Sequence, residues 1–284
     1  DGTGFRLIPP LFTRTILVPG PELEGVKTFN GVKCLSRDKI DDLISLINEK
    51  YFLYKNLDTY LSYREKETDY TLREIVAIVN VHANNKWYNI ELKTDESLNE
   101  LMLVNKFYAL TKDYTPKNLT NIGLDYSYGT EGENKLIDYA YEAFQELWDA
   151  AYKKGYYLMV TSSYRDYASQ EEIYNYRKST QGERKADETA ARPGHSEHQT
   201  GLVIDMTSKS EPDAESFTES KAYAWLKENA YKYGYIERYP EGKTYLTGYS
   251  PESWHWRYVG REAAKVMHDE DITYDEYYAY YIEK

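Results

Sequence analysis

The sequence predicts an α+β fold, and three features carry that expectation. Segments with apolar residues at helical spacing alternate with short apolar runs of strand length. The strand-like runs cluster late in the chain, where neighbours can pair as hairpins, which fits α+β better than a doubly wound sheet. Residues 35–99, by contrast, show helical periodicity and no grouping of reactive side chains.

Residues 1–34, rich in proline and glycine with little periodicity, are expected to be an extended lead. Ser36 then precedes Ile40, Leu43, Ile44 and Ile47, an N-cap residue followed by helical spacing. Stretches 51–63 and 71–80 read as further helices, the second with Thr71 ahead of LREIVAIVN. These make a small, mainly helical region over 35–99, with a second domain over 100–284. LMLVNKFYAL (101–110) leads into it as a strand or loop, and DYTPKNLTNIGLDYSYGTEGEN is loop by its Asn, Gly, Thr and Pro content. Leu136, Ala140, Phe144, Leu147, Trp148 and Ala151 then mark an amphipathic helix that ends near Gly155. YYLMVTSSYR (156–165) is a core strand running out into a loop, and SQEEIYNYRKST starts a helix with Ser169 as N-cap and Glu172 three residues on. LVIDMTS is a buried strand, ESFTESKAYAWLKENAYKYG one helix closed by Gly234, and YIERYP and WHWRYVG flank the loop EGKTYLTGYSPES. REAAKVMHDE is a last helix before a Tyr-rich tail.

At 284 residues the chain has material for one large domain or two ordinary ones. Its net charge of −12 argues against nucleic acid, because phosphate contacts need a basic surface. No apolar run is long enough to span a membrane, and no basic region followed by an apolar stretch opens the chain at Asp1. A single cysteine, Cys34, excludes an internal disulfide framework. Tyrosine, with 32 residues against 7 phenylalanines, supplies amphipathic surface and core, and some of it could contact a sugar or peptide.

Chemistry concentrates in ARPGHSEHQTGLVIDMTS (191–208), which holds His195 and His198, two of five histidines, and Asp205 in an apolar run. A hydrolytic zinc takes three protein ligands and keeps one position open for water. His198 and Asp205 are candidates for two of them, since Gly201 lets the chain turn between them. The third must come from His82, His195, His255 or His268. His255 lies in PESWHWRYVG with Glu252 three residues before it, a spacing that suits a ligand and a general base. The same spacing also fits Asp205 as a structural acid paired with Arg or Lys. His82 stands alone and reads as structural.

SEHQTGLVID resembles the S-x-H-x-x-G-x-x-x-D signature of the zinc D-alanyl-D-alanine carboxypeptidases and dipeptidases of the VanY and VanX type, and ESWHW resembles that family's second signature. Together with SSYRDYASQ the likeness covers roughly 100–265 and is closest to the VanY branch. It implies a compact α+β domain with a small antiparallel sheet at the site, flanked by helices. It also implies one Zn2+ per chain held by His198, Asp205 and His255, with Glu252 as base and His195 outside the ligand set. Arg165 would meet the scissile bond or the substrate carboxylate, and Gln170 the terminal D-alanine; Arg192 and Ser196 would support the loop. The implied substrate is a peptidoglycan stem peptide at the cell surface or wall, handled by a monomer whose leader or anchor is not in this chain. The same residues would serve an L,D-carboxypeptidase or a wall endopeptidase, and an inactive zinc-containing wall-binding module is the non-enzyme alternative. The likeness does not reach residues 1–95, which could position the enzyme on the wall or cap the fold.

Overall fold

The computed structural model describes residues 15–17, 27–29, 32–35 and 37–283. The chain divides into two compact units, Asp1–Asn80 and Val81–Lys284. In the first, β1 (Thr15–Leu17) pairs parallel with β3 (Val32–Leu35), which also pairs antiparallel with β2 (Lys27–Phe29). The expected extended lead therefore contains strands, and the rest of it lies outside the described residues. Helices α1 (Arg37–Ile47), α2 (Leu57–Lys66) and α3 (Leu72–Asn80) follow. Leu46, Tyr60, Ile75, Val76 and Val79 form their shared core. Thr71 and Glu74 cap α3 reciprocally: the Thr71 amide donates to Glu74 Oε2 at 2.7 Å and the Glu74 amide to Thr71 Oγ1 at 3.3 Å.

Sequence placed the boundary between the regions at 99/100, whereas the units separate after Asn80. The reason is packing. Trp87, Ile90, Leu92 and Leu98 bury their apolar surface on a cluster containing Leu103, Phe107, Val259 and Met267 of the second unit. There β4 (Leu92–Lys93) also pairs with β5 (Tyr108–Ala109).

Further along, β6 (Leu119–Asn121) pairs with β7 (Lys135–Ile137), so α4 (Asp138–Tyr152) starts later than its apolar spacing suggested. β8 (Leu158–Ser162) leads to α5 (Tyr167–Gln181) and α6 (Glu183–Thr189). The cap of α5 is Asp166, whose Oδ1 accepts from the Ser169 amide at 2.8 Å; the capping box expected at Ser169 is not formed. β9 (Val203–Ser208) follows. The single helix expected over 215–234 is broken into α7 (Ala214–Thr218), α8 (Lys221–Asn229) and a 3₁₀ turn. Ser220 caps the second of these by accepting from the Tyr223 amide. β10 (Tyr235–Glu237), α9 (Thr244–Thr247), β11 (His255–Tyr258), α10 (Arg261–Glu270) and α11 (Tyr274–Tyr277) complete the order. No helix among the described residues is long and apolar enough to cross a membrane.

The central sheet runs β10-β11-β9-β8, antiparallel throughout, which confirms the α+β expectation. One apolar cluster joins Phe144, Leu147 and Ala151 of α4 to Leu158, Val160, Ile204, Met206 and Trp256 of the sheet and Leu226 of α8. Register decides what this scaffold presents. Asp205 lies opposite His255 across β9 and β11, so the two side chains share one face. Ile204 and Met206, one residue to either side of Asp205, are fully buried in the apolar cluster.

Gly201 closes the 3₁₀ turn Glu197–Thr200 with φ +69°, a left-handed conformation that reverses the chain between His198 and Asp205. A Cβ there would stand 3.0 Å from Pro116 Cγ and from Leu119 Cδ2 and 3.2 Å from Ile137 Cγ1. Gly201→Ala is therefore expected to cost at least about 1–2 kcal/mol from backbone conformation alone, with crowding added. Chemical denaturation of the variant against the parent measures it, and an unchanged midpoint would contradict the account.

Candidate active site

Three elements converge on one point. The 3₁₀ turn carries His198, β9 carries Asp205 and β11 carries His255. His198 Nδ1 donates to the Ser163 carbonyl at 2.6 Å, which leaves Nε2 facing Asp205 Oδ2 at 3.3 Å. His255 turns Nε2 toward Glu197 Oε2 at 3.4 Å and Nδ1 toward Asp205 Oδ1 at 3.2 Å. Both outward nitrogens are thus committed to carbonyl or carboxylate oxygens, an arrangement that fixes tautomer and ring orientation in metal-ligating histidines.

This donor set fits zinc. Two imidazole nitrogens and a carboxylate oxygen, all within 4.8 Å of one another, are offered by His198, Asp205 and His255. Ligands 2.0–2.1 Å from one tetrahedral ion lie roughly 3.3 Å apart, close to the two imidazole–carboxylate distances. Asp205 Oδ1 is buried and accepts no hydrogen bond of proper geometry, which leaves a strong acceptor facing the cluster. Electrostatics agree. Burial opposes charge on His255, but the adjacent carboxylates of Asp205 and Glu197 overrule it and raise the imidazole to about 9. The position between two carboxylates favours a cation. Burial would likewise raise Asp205, yet His198 and His255 hold its carboxyl well below the usual range.

Glu252 stands beside this group, with Oε2 3.6 Å from His255 Nδ1 and its side chain 17% exposed to the cavity. Burial, only partly offset by His255, pushes its carboxyl up to about 7. Arg165 lies on the other side, at the end of the loop leaving β8. Its Nη1 donates to Gln170 Oε1 at 2.7 Å and its Nη2 to Ser162 Oγ at 2.9 Å, while its backbone amide donates to the His198 carbonyl at 3.2 Å. Gln170 lines the same cavity and braces Arg165. Its Oε1 accepts from Arg165 and its Nε2 donates to the Ala191 carbonyl at 2.8 Å, so it orients the guanidinium. A cavity of about 210 Å³ joins these groups, lined by Arg165, Gln170, Arg177, His198, Asp205, Glu252 and His255, among others.

The other histidines lie elsewhere. His195 Nδ1 donates to the Asn105 carbonyl at 2.8 Å, His82 pairs with Glu283 at 3.2 Å, and His268 stacks on Tyr231 at 3.7 Å between ring centres. Arg192 grips Asp187 with Nε at 2.9 Å and Nη2 at 2.8 Å, bracing the chain just before the site loop.

Sequence reasoning missed Glu197, Arg238, Arg257 and Asp275. Glu197 is fully buried, accepting from Arg238 Nε at 2.9 Å with Arg257 Nη1 3.5 Å away. Burial opposes its charge, but the two guanidiniums hold its carboxyl down at about 2. Arg238 in turn donates to both oxygens of Asp275, at 2.6 and 3.2 Å. The one sequence signal was Glu197 itself, an acid between Ser196 and His198 in an otherwise uncharged run.

The sheet, the converged donors and the adjoining acid form an arrangement suited to metal-assisted hydrolysis. A family profile described as VanY, D-alanyl-D-alanine carboxypeptidase, matches residues 133–261. YodJ of Bacillus subtilis (strain 168), named provisionally as a carboxypeptidase, is 44% identical over 183 residues, 63% of this chain and 67% of that protein. The D-alanyl-D-alanine carboxypeptidase of Enterococcus faecalis (strain ATCC 700802 / V583) is 40% identical, but the match spans only 47% of this chain and 52% of that enzyme. Among solved structures, the LD-carboxypeptidase LdcB superposes with a TM-score of 0.64 at 40% identity, covering 69% of this chain and 94% of that one. A vancomycin-resistance D,D-pentapeptidase VanY in complex with Zn(II) gives 0.54 at 33% identity, covering 63% and 98%. The chain belongs to the VanY family of carboxypeptidases.

Glu197→Gln keeps the shape of the side chain but leaves the Arg238 and Arg257 charges buried without their shared carboxylate. Breaking a buried pair in this way costs about 3–5 kcal/mol. Thermal and denaturant unfolding of the metal-free protein should show a loss of that order, and a change below about 1 kcal/mol would refute the role given to the pair.

Proposed function

We propose that this chain is a zinc carboxypeptidase that removes the C-terminal D-alanine from peptidoglycan stem peptides, acting as a monomer. The observation that carries the reading is the placing of a buried, high-pKa Glu252 against the converged His198, Asp205 and His255, with Arg165 lining the same cavity. The D,D-pentapeptidase relative with Zn(II) supports both the metal and the substrate.

His198 Nε2, His255 Nδ1 and a carboxylate oxygen of Asp205 would hold the ion, one per chain. When bound, zinc supplies Lewis-acid activation to water and to the scissile carbonyl. Glu252 handles the proton: as carboxylate it takes one from the attacking water, and as acid it returns that proton to the departing amine. Its raised pKa suits both halves of that cycle near neutral pH, and a bound cation would draw it lower. Arg165 retains N–H groups beyond the two that Gln170 and Ser162 engage, and these can donate to a carbonyl oxygen as it gains negative charge. Gln170 and Ser162 keep the guanidinium from swinging away.

A second reading, L,D-carboxypeptidase on tetrapeptide stems, is favoured by the likeness to LdcB, whose TM-score of 0.64 exceeds the 0.54 of the D,D relative. Incubating the protein with synthetic pentapeptide and tetrapeptide stems, followed by mass analysis of the released residue, separates the two. Loss of D-alanine from the pentapeptide alone is the expected result, cleavage of the tetrapeptide alone selects the second reading, and cleavage of neither refutes both.

Glu252→Ala should keep its zinc and lose activity by at least about 10²–10⁴-fold. Elemental analysis and turnover measured on one sample decide it. Lost metal would make Glu252 a ligand, and retained activity would refute the mechanism.

A further inference from the structure

Lys106 takes no part in the mechanism above, although its side chain is buried at 2% exposure. Its Nζ donates to the Asp187 carbonyl and lies 4.0 Å from the ring centre of Tyr249, 5.3 Å from that of Tyr88 and 5.9 Å from that of Trp87. Burial lowers the ammonium to about 8 while Asp187 pulls the other way, so at neutral pH it stays mostly charged. An apolar side chain would fill an aromatic cage at less cost in desolvation. A cation can do what an apolar group cannot: bind a carbonyl and ring faces at once.

The cage is held together by unusual backbone. Tyr88 adopts φ +60°, a left-handed conformation that is rare for a bulky residue. Gly248 has φ +75°, and a Cβ there would stand 2.8 Å from Trp87 Cε2 and 2.9 Å from Lys106 Cδ and Cε. Two walls of the 210 Å³ cavity meet at this cation. Asp187 belongs to α6, and Thr189, Ala190 and Ala191 just beyond it line the cavity. Tyr249 lines it from the loop that carries Glu252. The ring of Tyr249 packs on Tyr239 at 4.8 Å between centres, and Tyr239 on His255 at 4.9 Å. The Tyr239 carbonyl accepts from the Glu252 amide at 3.0 Å. A second tie runs beside the first: the Tyr88 hydroxyl lies 3.2 Å from that of Tyr249 and accepts from the Arg192 amide at 3.4 Å.

We infer that Lys106 is a positioning residue, which bonds α6 and faces Tyr249 in one aromatic cage and thereby holds the Glu252 loop against the α6 wall. This deepens the carboxypeptidase reading and rests on it, because the group held in place is the base of that reaction.

Lys106→Met keeps the apolar stem and removes the charge. Amide hydrogen exchange on the zinc-loaded protein reports on the walls, and zinc content and D-alanine release are measured on the same samples. Lys106→Met should keep its zinc and lose exchange protection in 187–192 and 247–252 together, with α4 and β8 unchanged. Its kcat should fall about 10–100-fold, since a misplacement of about 1 Å can cost that much, while KM changes little. Tyr88→Leu, at a residue that does not line the cavity, should give the same pattern more weakly, and it carries the test if Lys106→Met does not fold. Unchanged kcat in the folded variant, or exchange that is unaltered or rises throughout the domain, overturns the inference. Turnover of the parent is scored separately. An active parent with unaltered exchange in the variant removes the tie and leaves the activity standing. A parent that cleaves no stem peptide removes the carboxypeptidase reading, and the exchange pattern then decides the tie by itself.

Discussion

Glu197 is a carboxylate with no access to water, and its charge survives there only because Arg238 and Arg257 lie against it. Desolvating such a group is expensive unless its lone pairs and its charge are both answered. The answer here also organises the site. One oxygen of Glu197 meets Arg238, and the other faces His255 Nε2 and thereby turns His255 Nδ1 to Asp205. Arg238 reaches on to Asp275 of α11, and Asn105 Nδ2 donates to the same acid at 2.7 Å. The orientation of His255 is thus tied through buried charge to α11 and to the segment preceding β5.

The sheet supplies the second constraint. An antiparallel ladder holds opposed residues at a fixed separation on one face, so the pairing of Asp205 with His255 sets two donors side by side without any loop having to order itself. His198 is added by a turn rather than a strand. Its position depends on the left-handed Gly201 behind it and on the Ser163 carbonyl ahead of it. Rigid strands and one over-determined turn give the precision that metal sites require, and the cavity is completed by groups on the more accessible α5 and on the loops around it.

The two arginines of the cavity differ in how they are held. Arg165 is braced on two sides by Gln170 and Ser162; Arg177, on α5, donates to Thr189 Oγ1, and the positive charges of both help to hold down the Glu252 carboxyl that burial raises. A braced guanidinium suits charge that develops during reaction, because it need not reorganise.

The sequence by itself determined the α+β class and picked out His198, Asp205, His255, Glu252 and Arg165, which the fold brings around one cavity. Those residues were legible because their chemistry is written in short spacings: a histidine, a turning glycine and an acid within one stretch, and an acid three residues before a histidine. Helix caps and boundaries were less legible, since Asp166 outcompetes Ser169 by one favourable hydrogen bond and apolar spacing does not show where a strand hands over to α4. The unit boundary escaped because residues 81–99 are assigned by where their apolar side chains are buried. Only the tertiary structure decided the rest. Glu197 finds its counter-charges 41 and 60 positions away at Arg238 and Arg257, and Gln170 Oε1 accepts from Arg165 at 2.7 Å. Burial and long-range pairing set the state of a charged side chain, and neither is a property of its sequence neighbours.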